Sequence, residues 1–157
     1  MTNEYFQQMK ASFLEAHSPY ICEESREQIE KAQTLEQFIG ILHRYVHFKF
    51  FDQVPSLEWA QEWFGNYLPE ANACGVYLNQ IATVDNPKRD SFILLGKCHL
   101  NAILVRSQLF FFTLRDESEL SLITYGSANA TIRLKGDKAG CRTIHKSLYS
   151  RIKLHKI

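Results

Sequence analysis

The chain has no CxxC pair. Its four cysteines, Cys22, Cys74, Cys98 and Cys141, stand far apart. This spacing excludes zinc-ribbon and thioredoxin-type sites. It fits free thiols in a reducing compartment, so the expected location is cytoplasmic. No apolar run approaches the roughly 18 residues of a membrane span. The first residues, MTNEYFQQMKASFLEAH, carry an early acid and no continuous apolar stretch, unlike a secretory signal. Glycine is scarce, 7 in 157 residues, and isolated; neither GxxxxGK nor GxGxxG occurs, so no phosphate-binding loop is expected. No pair of carboxylates is set for acid–base work. Cys98 and His99 are adjacent, so on a strand they point to opposite faces. Cys141 and His145 share a face but lie about 13 Å apart along it. No catalytic residue and no cofactor is therefore expected, and the chain reads as a non-enzyme.

What is present is a charge asymmetry and two kinds of periodicity. The net charge of +1 conceals a first half rich in acids and a second half rich in bases. From Ala130 onward there are eight Lys/Arg and one Asp. A basic end of this kind suits an anionic partner, or attraction between the halves. Up to Gly75 the apolar residues follow helical spacing. Tyr5, Phe6, Met9, Phe13 and Ala16 predict a helix over 3–16, and Ser18-Pro19 marks the start of another over about 20–32. Thr34-Leu35-Glu36-Gln37 is a capping box opening a helix over 35–50. Pro55-Ser56 opens a short helix over 57–64, and a last one covers about 68–74. His43 and His47 lie four apart on the third helix, the spacing of a metal-chelating pair. A third ligand would have to come from elsewhere; Asp52 or His17 could serve.

From Ala82 the apolar residues recur every ten positions: Ala82/Val84, Phe92/Leu94, Ala102/Leu104, Phe112/Leu114, Leu122/Thr124, Ile132/Leu134, Arg142/Ile144 and Ile152/Leu154. Turn formers such as Gly96, Asp116, Gly126 and Gly136 separate them. Two architectures give strands of this spacing, an antiparallel meander and a β-solenoid. Parity favours the solenoid. A two-residue hairpin at Gly126-Ser127 would set Leu122 beside Thr131 and place apolar faces against polar ones. Stacking parallel strands at a shift of ten, or of twenty with two strands per coil, keeps every apolar residue on an even number. The expected fold is thus α+β: helices over 1–75 capping a solenoid over 76–157 of about eight ten-residue units. Arg142, in an inward column, would mark where the stack begins to fail.

The entry stretch GVYLNQIATVDNPKR and the following ILLGKCHLNAILVRS resemble uncharacterised short-repeat β-solenoid proteins of gut Bacteroidetes and prophage-like elements. The resemblance implies a fold and no activity. The odd-numbered columns give candidate anion-binding residues: Arg115, Tyr125, Arg133, Lys135, His145, Arg151 and Lys153. Cations interleaved with an aromatic suit phosphates and stacked bases. Charged outward columns also keep a solenoid from pairing edge to edge. The first expectation is a non-catalytic scaffold or interaction module that self-associates through the C-terminal end of the solenoid or takes a protein partner there. Nucleic-acid or polyanion binding on the basic face is the second. A small metal-dependent hydrolase at the helix–solenoid junction, using His43 and His47, is the third. No membrane partner is expected.

Overall fold

A computed structural model describes residues 1–45 and 54–156. The chain divides into two compact units, Met1–Cys74 and Gly75–Ile157. The first unit is helical: α1 (Asn3–Ala16), α2 (Glu23–Lys31), α3 (Leu35–Tyr45), α4 (Leu57–Phe64) and α5 (Leu68–Ala73). Thr2 caps α1 by accepting a hydrogen bond from the Tyr5 amide, and Ser56 caps α4 by accepting one from Trp59. At α3 the Thr34 hydroxyl accepts from the Gln37 amide, while the Gln37 side chain reaches back to the Gln33 amide. The Ser18-Pro19 signal makes only a 3₁₀ turn over Ser18–Tyr20, and α2 starts three residues later, after Cys22. The expected continuation of α3 beyond Tyr45 lies outside the described residues.

Aromatic rings fill the centre of this unit. Phe13 meets Phe38 and Trp59 edge to face, each at 5.0 Å between ring centres. Phe6, Met9, Ile39, Leu42 and Phe64 complete the buried set. Lys10, His17 and Ser25 are buried with them. The Lys10 ammonium donates to the carbonyls of Glu30 (2.9 Å) and Ala32 (2.6 Å), the carbonyl end of α2. This satisfies orphan acceptors where a cation is also favoured.

The second unit is a β-solenoid of about four turns. Its strands are β1 (Val76–Leu78), β2 (Ile81–Asp85), β3 (Ser91–Leu95), β4 (His99–Leu104), β5 (Leu109–Arg115), β6 (Glu119–Thr124), β7 (Asn129–Lys135), β8 (Gly140–Lys146) and β9 (Ile152–Lys156). Odd strands form one parallel sheet, β1-β3-β5-β7-β9, and even strands another, β2-β4-β6-β8. The antiparallel meander is therefore excluded. Ser91 lies opposite Phe111 and Leu109 opposite Asn129, so a coil is 20 residues and the ten-residue unit is half a coil.

The even-numbered residues point between the sheets. Phe92, Phe112 and Ile132 stack in one sheet; Leu100 and Leu120, with Ala102 and Leu122, stack in the other. The Phe92 and Phe112 rings are nearly parallel, 4.9 Å apart. Each coil alone could bury little, and stacking supplies the core.

The register is less regular than the sequence suggests. Val76 pairs with Ile93, a shorter first coil. Near the other end Leu122 pairs with Thr143 but Ile123 pairs with His145, so Ile144 is the extra residue of a bulge. Upstream of this bulge the step is already 21 residues, since Glu119 pairs with Gly140; one extra residue in the turn between β7 and β8 sets Cys141 in the inward column below Leu120 and turns Arg142 outward, opposite Ser121. Arg142 is exposed rather than inward, and the regular twenty-residue step is lost in its coil. The longer turn before β8 spares the chain enclosing a guanidinium that would be costly to desolvate.

Candidate functional site

The coil length decides where the candidate anion-binding residues fall. A column read at steps of ten alternates between the two sheets. Arg115 and Lys135 are register neighbours in the odd sheet, where Arg133 and Lys153 also lie. His145 is on β8 of the even sheet, and Tyr125 follows β6 of that sheet. Arg151 precedes β9. The seven residues therefore do not form one face, because opposite sheets look away from each other. Arg115 is moreover only 2% exposed, with its guanidinium 4.0 Å from the Asp116 carboxylate. Arg133 and Lys135 are half-buried. Burial lowers the pKa of the Arg133 guanidinium from its ordinary value. Only Tyr125, His145, Arg151 and Lys153 are exposed, and of these Tyr125 and His145 meet, ring centres 5.2 Å apart.

The metal candidate is only partly visible. His43 sits half-buried in the last turn of α3, while His47 and Asp52 lie outside the described residues. His17, the alternative further ligand, is already occupied. It is buried; its Nδ1 donates to the Phe13 carbonyl at 2.9 Å, and its Nε2 accepts from the Ser56 amide at 2.9 Å. Both ring nitrogens thus hold the α1 end to the start of α4, leaving no lone pair for a cation. Among the described residues no three His, Cys, Asp or Glu side chains gather at metal-binding distance.

The arrangement with the clearest capacity for interaction is the last coil of the solenoid. β8 and β9 are the outer strands of their sheets, and among the described residues no strand lies beyond them. Each presents a row of backbone groups able to pair with another chain. Large apolar side chains crowd the same coil: Leu148 is 96% exposed, Tyr149 79%, Ile144 57% and Leu154 51%. Leu154 stands below Ile132 in the inward column, so it faces the open end of the core. Ile144 is put out by the bulge.

Charge frames this surface. Arg142, Lys146, Arg151, Lys153 and Lys156 lie here, and no Asp or Glu follows Asp137. Lys146 and Lys156 stand in register with the buried Thr124 and Leu134 of the preceding coil. The expectation of an open C-terminal end came from the repeat. The apolar turn at Leu148-Tyr149 and the bulged Ile144 did not, because a turn residue and an even-numbered Ile give no sign of exposure.

The two thiols of the solenoid are chemically quiet. Burial pushes both Cys98 and Cys141 up to about 11, so each is protonated near neutral pH. No helix among the described residues is long and apolar enough to cross a membrane. Compared with protein-family models, curated proteins and solved structures, the chain matches none.

Proposed function

We propose that this chain is a scaffold or interaction module that joins a second copy of itself through the last coil of its solenoid. The observation that carries this reading is the coincidence of two open strand edges, β8 and β9, with four exposed large apolar side chains. A two-fold axis across such an end pairs edge strands antiparallel and is closed after two copies. Magnitudes favour association over repulsion. Burying one Leu or Ile is worth about 1.5–3 kcal/mol. An exposed charge pair acts with only about 0.2–1 kcal/mol, and salt reduces it. The basic residues then select against wrong registers rather than preventing contact.

Light scattering over a concentration series tests this. The wild type is expected to gain mass with concentration, and a Tyr149→Asp, Leu154→Asp variant is expected to stay monomeric. A wild type that remains monomeric at the highest concentration reached contradicts the reading.

Polyanion binding is a second reading, supported by the five Lys/Arg of the last coil with no acid among them. Its surface is this end, not the single face expected from the odd columns. A gel shift at low salt that is unchanged in an Arg151→Glu, Lys153→Glu variant contradicts it.

A further inference from the structure

The outward face of the even sheet holds three polar side chains that the preceding readings leave unused. His99 of β4 stands beside Glu119 and Ser121 of β6. Its Nδ1 is 3.2 Å from Glu119 Oε2, and its Nε2 is 3.0 Å from Ser121 Oγ. The register explains the contact: His99 lies directly opposite Glu119, and Asn101 opposite Ser121, so the imidazole reaches one residue across and the other diagonally. A carboxylate only accepts hydrogen bonds. With neutral imidazole the proton therefore sits on Nδ1, the Nε2 lone pair faces Ser121, and the hydroxyl donates to it. A serine donating to a histidine that donates to a carboxylate is the connectivity of an activated nucleophile, recognised by geometry rather than by sequence position.

The neighbours of Ser121 complete a site. Asn101 on β4 and Arg142 on β8 are its register partners on either side, about 4.8 Å away along the sheet. The 21-residue step from Ser121 to Arg142, set in the turn before β8, is what brings Arg142 onto this face. Two residues further along, Ile103 and Ile123 pair on the same face, both half-buried, about 7 Å from the serine. Register thus sets Asn101 and Arg142 on either side of the serine and an apolar pair next along, while Ser121 itself is 9% exposed.

We propose that Ser121 is the nucleophile of an acyl-transfer site for esters with a short aliphatic acyl group, with His99 as its base. The site lies on the outward sheet face, and of its residues only Arg142 belongs to the last coil. Ser121 Oγ attacks the ester carbonyl carbon while its proton passes to His99 Nε2. The carbonyl π pair moves onto oxygen, where Asn101 and Arg142 can donate to it. Collapse breaks the ester C–O bond, and the departing alkoxide takes the proton from His99, leaving the acyl group on Ser121. Water, deprotonated by His99, then releases the carboxylic acid and restores the hydroxyl. No oxidant or metal enters the balance. Glu119 is a positioning residue; its side chain is 63% exposed, so solvent weakens its hold on the imidazole.

The test uses the full chain with a fluorophosphonate probe, read by mass spectrometry, and with p-nitrophenyl acetate, read by nitrophenol release. One adduct at Ser121 is expected, lost in Ser121→Ala and slowed about a hundredfold in His99→Gln. Ser121→Cys, which keeps a nucleophile, is expected to retain acylation by the ester, so that the alanine result reports the hydroxyl and not the fold. Glu119→Gln is expected to lower kcat about tenfold with KM unchanged, a split that a loss of packing would not produce. No adduct at Ser121, or ester cleavage that survives Ser121→Ala or His99→Gln unchanged, overturns the proposal.

Discussion

Lys10 shows how a single residue ties two helices together. Burial lowers the pKa of its ammonium, yet the two carbonyls at the end of α2 keep it satisfied. A Lys10→Met variant retains the stem and leaves those acceptors bare. It is expected to lose about 2–3 kcal/mol, read as a shift in the urea midpoint. The cysteines differ in the opposite sense. The exposed Cys22 thiol is held below its ordinary pKa, first by the Ser25 hydroxyl at 2.9 Å and then by the Ser25 amide. A lowered thiol pKa means more thiolate at neutral pH. Iodoacetamide followed by peptide mass spectrometry is therefore expected to modify Cys22 well before Cys98 and Cys141. Ser25→Ala is expected to slow the Cys22 reaction at pH 7 and to have little effect well above the thiol pKa. Labelling of Cys98 as fast as Cys22 would contradict the burial described.

At the scale of elements, the helices were legible because their signals are local. The stripe of Phe6, Met9 and Phe13 and the Ser56 cap lie within one or two turns, so α1 and α4 have the bounds that their residues predict. The solenoid was legible through parity, since Phe92, Phe112 and Ile132 share a column whether the shift is ten or twenty. That same property hid the coil length, and with it the division of the odd columns between two sheets. The irregular register was hidden as well: Ile144 at an even position looks like core, and only the pairing of Leu122 with Thr143 and of Ile123 with His145 shows otherwise. His99, Glu119 and Ser121 could not be grouped until a coil was known to be 20 residues.

Two changes test these elements. Gly75 has φ +84°, and a Cβ there would collide with the Ser91 carbonyl oxygen. Gly75→Ala is thus expected to disturb the entry to β1 and lower the melting temperature. Phe112→Ala empties the stacked column of the odd sheet and is expected to cost about 3–5 kcal/mol in denaturant unfolding.

At the scale of the whole molecule, the charge asymmetry acquires a location. The bases of the last coil accompany exposed apolar side chains at strand edges beyond which no described strand lies, so like charges oppose the same contact that apolar burial favours. Screening should then strengthen self-association. On the proposed association, self-assembly is expected to tighten as salt rises from about 0.05 M to about 0.5 M, where the screening length falls well below 10 Å. Weakening over that range would mean that the contact is made by ion pairs instead. Hydrogen exchange of the β8 and β9 amides, followed as a function of protein concentration, tests the central claim most directly. If a second copy pairs with the last coil, amides in 140–146 or 152–156 become slower to exchange as concentration rises, while those of β4 and β5 stay unchanged. Exchange at both outer strands that is independent of concentration, in a sample concentrated enough to associate, would contradict the account.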